Sequence, residues 1–332
     1  MSKRLDEISI LRVCYILVVV FFHCYGMMYA EAHFPETTSV YKNLYYIPNQ
    51  CIFINIAMST FVFISGYLFI YLLQIGKYPT WYNLLQKKGV RILLPYFTFG
   101  LFFMFTTKNW QPLNLLSGEY WHLWFLPMLF WSFIAGYGIY KMKFNTYVEV
   151  FLLLICFLGT FIPMFLPMWL GLHRTTRWFY WFYLGMLIFK YKNCIFPYLN
   201  KYKLYWISFV IYGVITYFHP VGYCEDCWYI YLVITGCIIS IIYIIDKVDW
   251  SKFKTTNTIV KFSRYSFGIY IWHNWVAMML ISNTSKQLLG LPTLAANHVI
   301  LFPLCFSLIT LAISWFLSWC MMKTKIGRFL IG

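Results

Sequence analysis

RVCYILVVVFFH, residues 12–23, sets a cation at the head of an apolar run and an imidazole eleven positions later. On a helix, Arg12 and His23 lie roughly 16 Å apart along the axis. With Arg12 at a membrane edge, His23 lies near the middle of a hydrocarbon core about 30 Å thick. An ionisable group at that depth is expensive and points to function. The rest of the chain reads as scaffold and partners for that histidine.

Only 11% of the 332 residues are charged, while 61% are hydrophobic and 23% aromatic. Soluble domains carry about 25% charged residues. Together with a mean hydropathy of +0.67, the composition identifies an all-α integral membrane protein. Apolar runs fill nearly the whole sequence, so a single membrane-embedded domain, 1–332, is expected, with no separate soluble one. The formal charge of +16 does not imply a nucleic-acid partner, because the cations fall in short clusters between apolar runs. The first apolar run is about twenty residues long and lacks a small-residue cleavage site, so it reads as a span and not as a signal peptide. Most of the 10 cysteines, Cys156, Cys237 and Cys305 among them, lie inside apolar segments, where Cys behaves as a small hydrophobe. Cys224 and Cys227 in YCEDCW form a CxxC with no second pair to complete a zinc site. A local disulfide is the alternative if that loop faces an oxidising compartment.

Ten apolar segments predict about ten transmembrane helices, at 10–30, 52–74, 91–107, 121–140, 148–170, 177–190, 204–219, 227–246, 264–283 and 298–322. The sixth is short and must be tilted or extended. Assigning alternate loops to alternate sides puts 21 of the 26 Lys and Arg on one face and 5 on the other. By the positive-inside bias both termini are cytoplasmic.

Four further clusters hold polar residues in or beside these spans. QKKGVRILLPYF sets Lys88 and Arg91 three apart on one helix face, with Pro95 expected to kink the helix one turn on. Positive-inside charge explains Lys87; cations at this edge also suit a polyanionic cytoplasmic ligand. STFVFISGYLF carries Ser65, Gly66 and Tyr67 inside the second span, where small residues permit close helix approach and Tyr67 offers a hydrogen bond. WHLWFL sets His122 near the exoplasmic start of the fourth span. An aromatic belt accounts for Trp121 and Trp124 but not for His122, which is suited to face an acceptor from outside. SRYSFGIYIWHNW places His273 roughly 13 Å along the helix from Arg264, with Tyr270 on its face. One buried histidine is compatible with a structural role; two, each on a helix entering from the cytoplasm, indicate a polar chamber within the bundle. His23 then suits a general base, and Arg12 either snorkels or holds an anion. The exoplasmic pair Arg174 and Arg177 is solvated or touches an anionic glycan.

In their order along the chain these elements resemble the membrane-bound acyltransferase-3 family, bacterial multi-span O-acyltransferases. The resemblance is carried by Arg12 to His23, Phe61 to Tyr67 (FxxSGY), Arg91 to Tyr96, His122 to Leu126 (HLWFL), the 179–188 segment with Gly185, and Ser266 to His273. It implies transfer of an acyl group, usually acetyl from acetyl-CoA, to a hydroxyl of a surface polysaccharide or lipid-linked sugar at the bacterial cytoplasmic membrane. It implies a catalytic role for His23, beside which Tyr270 and His273 are read as catalytic-site residues that shape the chamber or stabilise the developing oxyanion. Donor binding falls to Arg12, Lys88, Arg91, Ser65 and Tyr67, and acceptor binding to His122, Trp124 and Arg174, with no metal. Partners would be the acyl-CoA, the glycan, the lipid bilayer, and either a second copy or a polysaccharide-synthesis complex. The chain departs from the family pattern at Ser9, where many members have Asp, and at Lys88, where Arg is frequent. Both departures bear on donor orientation. A transporter of glycan or anionic cargo is the alternative for the same chamber, although no pseudo-symmetry between halves is visible; a scaffold in a synthesis complex is the third reading.

Overall fold

The computed structural model describes residues 6–28, 34, 37–48, 56–161, 166–218, 228–282 and 290–332. Among these residues every element is helical. In chain order they are α1 (Asp6–Met28), α2 (Thr38–Pro48), α3 (Ser59–Gln74), α4 (Trp81–Lys88), a π turn (Gly89–Leu93), α5 (Leu94–Thr107), α6 (Pro112–Ser117), a 3-10 turn (Trp121–Trp124), α7 (Phe125–Met142), α8 (Thr146–Gly159) and α9 (Leu172–Tyr202). There follow α10 (Leu204–Phe218), α11 (Trp228–Lys247), a 3-10 turn (Trp250–Lys252), α12 (Thr256–Ser263), α13 (Ser266–Leu280), α14 (Leu291–Asn297), α15 (Leu301–Lys323) and α16 (Lys325–Ile331).

Each of the ten apolar segments read from the sequence holds a helix. Six stretches are long and apolar enough to cross a membrane: Asp6–Met28, Ile56–Gln74, Trp81–Thr107, Pro112–Met142, Trp228–Lys247 and Leu301–Lys323. The other four segments fall on α8 and α10, which are apolar but shorter, on the 15-residue α13, and on α9. The short sixth segment is indeed extended: α9 has 31 residues, about 46 Å of helix. The CxxC of Cys224 and Cys227 lies outside the described residues.

The helices group into two compact units. One gathers the described residues of Met1–Met58 with Tyr205–Gly332, the other Ser59–Leu204. In the first, α1 packs on α12, α13 and α15, and α13 packs on α15. Asp6 and Glu7 in the first turn of α1 complement its dipole. The contact face of α15 is a row of small hydroxyl residues, Ser307, Thr310, Ser314 and Ser318, all fully buried. Three of these hydroxyls donate to the carbonyl one turn back, at 2.7 Å each: Ser307 to Pro303, Ser314 to Thr310 and Ser318 to Ser314. Their polar atoms are thus satisfied within the helix, and their small size lets neighbours approach.

In the second unit α9 is central, against α3, α7 and α8. Its contact with α3 is reciprocal. A Cβ on Gly66 would collide with the Phe182 carbonyl, and one on Gly185 with the Phe63 carbonyl. The FxxSGY and 179–188 segments, noted separately in the sequence, therefore face each other backbone to backbone. The expected kink at Pro95 takes another form. Pro95 lies inside the continuous helical stretch Trp81–Thr107, and the irregularity precedes it as the π turn.

Candidate functional site

His23 and His273 come together in the first unit. The His273 ring is 0% exposed, whereas His23 is half-buried. His273 Nδ1 lies 2.7 Å from the Tyr270 carbonyl and 3.2 Å from that of Ile269. A carbonyl only accepts, so Nδ1 carries the proton and Nε2 carries a lone pair. That Nε2 lies 3.3 Å from His23 Nδ1, which is also 2.9 Å from the Val19 carbonyl. By the same logic His23 Nδ1–H donates to both, and His23 Nε2 is left as the basic nitrogen. The rings meet edge to face, with centroids 4.8 Å apart and planes at 67°. Helical spacing of three and four residues supplies the orienting carbonyls, so each imidazole is fixed by its own helix. Tyr270 lies beside them, its ring centroid 6.0 Å from that of His273. Arg12, partly buried, is three turns back along α1 from His23.

The remaining sequence-selected residues belong to the second unit. Arg91 is exposed on the π turn. Lys88 is not at its side on an open face. It is 9% exposed, with Nζ 3.3 Å from the Phe133 ring centroid, 5.4 Å from Tyr78 and 5.7 Å from Phe69. Aromatic faces therefore surround the ammonium. Burial pushes the Tyr78 phenol above its ordinary range, and the Arg91 charge works against that rise. A polyanionic donor would meet Arg91 directly, and Lys88 only by leaving its aromatic surroundings. Ser65 donates to the Phe61 carbonyl at 2.9 Å, and buried Tyr67 has its hydroxyl 3.4 Å from Lys192 Nζ. Both residues take part in the helix packing that Gly66 permits.

Trp124 and Arg174 do come together, the guanidinium 4.5 Å from the indole centroid. Arg174 also grips Glu119 with both arms, and His173 Nε2 lies 2.7 Å from the same carboxylate. His122 is buried in the 3-10 turn, its ring centroid 6.2 Å from that of Phe103. The cluster is assembled by two chain reversals: Gly118 and Gly171 have φ +85° and +71°. The Leu170 and Gly171 amides donate to the Leu116 and Ser117 carbonyls. Glu119 and His173 were not singled out in the sequence; the signal was an ionisable residue within two positions of each of the two glycines. A second unforeseen cluster is buried Glu149, bound by Lys190 at 2.8 Å and by the Tyr191 hydroxyl at 2.7 Å. No group of three or more metal-binding side chains occurs among the described residues.

The family model for an acyltransferase domain, Acyl_transf_3, matches residues 5–319. Three curated relatives, each named "Probable poly-beta-1,6-N-acetyl-D-glucosamine export protein", come from Staphylococcus aureus strains MRSA252, MSSA476 and MW2. Each is 26% identical over 233 residues, which covers 61% of this chain and 65% of the relative. The chain thus spans just under two thirds of the relatives' length. No solved structure matches. The match runs through both units and nearly the whole sequence, and the chain, a multi-pass membrane protein, belongs to the acyltransferase-3 family.

Proposed function

We propose that the protein is an O-acyltransferase of the bacterial cytoplasmic membrane, acting as a single domain over 1–332. It moves an acyl group, foremost acetyl, from cytoplasmic acyl-CoA to a hydroxyl of a surface polysaccharide or lipid-linked sugar. The observation that carries this reading is the His23–His273 pair, 3.3 Å apart in a family of acyl-transferring proteins. The donor supplies an acyl carbon activated as a thioester. His23 Nε2 takes the proton of the acceptor hydroxyl as its oxygen bonds to that carbon and the carbon–sulfur bond breaks; the proton then passes to the departing sulfur. His273 is a positioning residue. Its Nε2 lone pair holds the His23 Nδ1–H and favours the charge that develops on the His23 ring. Tyr270 borders the chamber and is placed to donate to the oxygen that gains charge. Within the first unit, Arg12 is assigned to the donor's phosphates.

The relatives' names favour a second reading, passage of an N-acetylglucosamine polymer across the membrane. One experiment separates the two. Purified protein in proteoliposomes receives radiolabelled acetyl-CoA and the host's lipid-linked and surface glycans, and label is followed into alkali-labile ester. The parent should form ester and His23→Ala should not, while donor binding is retained. Equal ester formation in both proteins removes His23 from the mechanism. No ester with any acceptor, together with glycan moving across the bilayer, replaces the enzyme by an exporter.

A further inference from the structure

The second unit contains a cavity of about 230 Å³ between the ends of α3 and α7, the middle of α9 and the start of α8. Its inner wall is apolar, with Ile70, Ile139 and Met186, and its rim carries Gln74, Tyr140 and Lys143. Gln74 and Lys143 are exposed, so the mouth lies at the helix ends. Inside the rim the one carboxylate, that of Glu149, is already neutralised by Lys190. No carboxylate of the described residues pairs with Lys143, so the mouth keeps one net positive charge.

We propose that this cavity binds the headgroup of an anionic phospholipid. The phosphodiester would lie against Lys143, with the Gln74 amide and Tyr140 hydroxyl as further donors, and the first part of a chain would lie on Ile70, Ile139 and Met186. A basic recess between transmembrane helices on the side that collects the Lys and Arg is suited to such a group. The size fits a headgroup better than a nucleotide, since sites for whole drug-sized ligands measure about 300–1,000 Å³. A free phosphate shares the headgroup's charge but not its use for the apolar wall. The assignment does not depend on the acyltransferase reading, because binding is measured without turnover.

The test is native mass spectrometry of the full chain released from neutral detergent with equal amounts of phosphatidylglycerol and phosphatidylcholine. The parent should retain phosphatidylglycerol in preference. Lys143→Gln should lower that retention about fivefold, the effect of one lysine near anionic lipid, and Lys143→Arg should restore it. Ile139→Phe, which fills the cavity and keeps the charge, should also lower retention. Parent-like retention in Lys143→Gln or in Ile139→Phe overturns the proposal. So does displacement of the lipid by inorganic phosphate alone, which would make this a soluble-anion site, or by acetyl-CoA, which would assign the cavity to the donor.

Discussion

Replacing Gly66 or Gly185 by Ala tests the close approach of α3 and α9. In an unobstructed helix the change is favourable by about 1 kcal/mol. At these two positions the added carbon falls on a backbone carbonyl of the facing helix, Phe182 for Gly66 and Phe63 for Gly185. A carbonyl cannot rotate aside as a side chain can, so the helices must separate. Overpacking of this kind costs about 1–3 kcal/mol. With rigid backbone as the obstacle the upper part of that range applies, leaving a net loss of about 2 kcal/mol for each single substitution. The double variant should lose less than the sum, because the separation forced by the first methyl makes room for the second. A coupling of about 1–2 kcal/mol is expected for residues sharing one contact. Gly213 is the internal control, since a Cβ there meets nothing within 4 Å and Gly213→Ala should not destabilise. The assay is thermal unfolding in detergent followed by size-exclusion fluorescence. A Gly66→Ala protein as stable as the parent, or a double variant whose loss equals the sum of the singles, would refute the packing argument.

Two further outcomes follow from the sites. His273→Phe fills the buried position with a ring of similar size and removes the acceptor of the His23 Nδ1–H; turnover at saturating donor should fall about tenfold with little change in donor affinity. The magnitude is the low end for a hydrogen bond to a charged group, about 1.5 kcal/mol, because the 3.3 Å contact is long and Val19 shares the proton; a change in donor KM alone would contradict the role. Glu119→Gln leaves Arg174 and 3%-exposed His173 without their common carboxylate, and should cost about 1–3 kcal/mol in thermal unfolding; an unchanged melting temperature would mean that the cluster does not hold the two chain reversals together.

The membrane class and the ten helical segments were legible because hydropathy reports them directly. The length of α9 was not, since Arg174, Arg177 and the lysines after Phe189 end the apolar signal while the helix continues. The two histidines were legible one at a time, from their depth along each helix. Their contact was not, because α1 and α13 are apolar on most sides and neither pattern tells which face turns to the other. Lys88 illustrates a different limit. Its three-residue spacing from Arg91 suggested a shared open face, but the π turn between them shifts the register and turns the ammonium into an aromatic pocket. Glu119 and His173 lie far apart in sequence, and only the left-handed glycines at 118 and 171 bring them within reach.

The relative sizes of the forces bear on the role proposed for the histidine pair. Side-chain hydrogen bonds between membrane helices contribute on average about 0.6 kcal/mol. Placing a polar group in an apolar interior costs about 1–3 kcal/mol on scales drawn from proteins. A 3.3 Å contact between two imidazoles is therefore a weak way to hold α1 against α13. Three of the four buried hydroxyls of α15, bonded within their own helix, allow close packing there at lower cost. What the pair gains from its position is a fixed tautomer, with three helix carbonyls holding both Nδ1 protons and one basic nitrogen left on the half-buried ring. That arrangement contributes little to stability, and it suits the proton transfer proposed above.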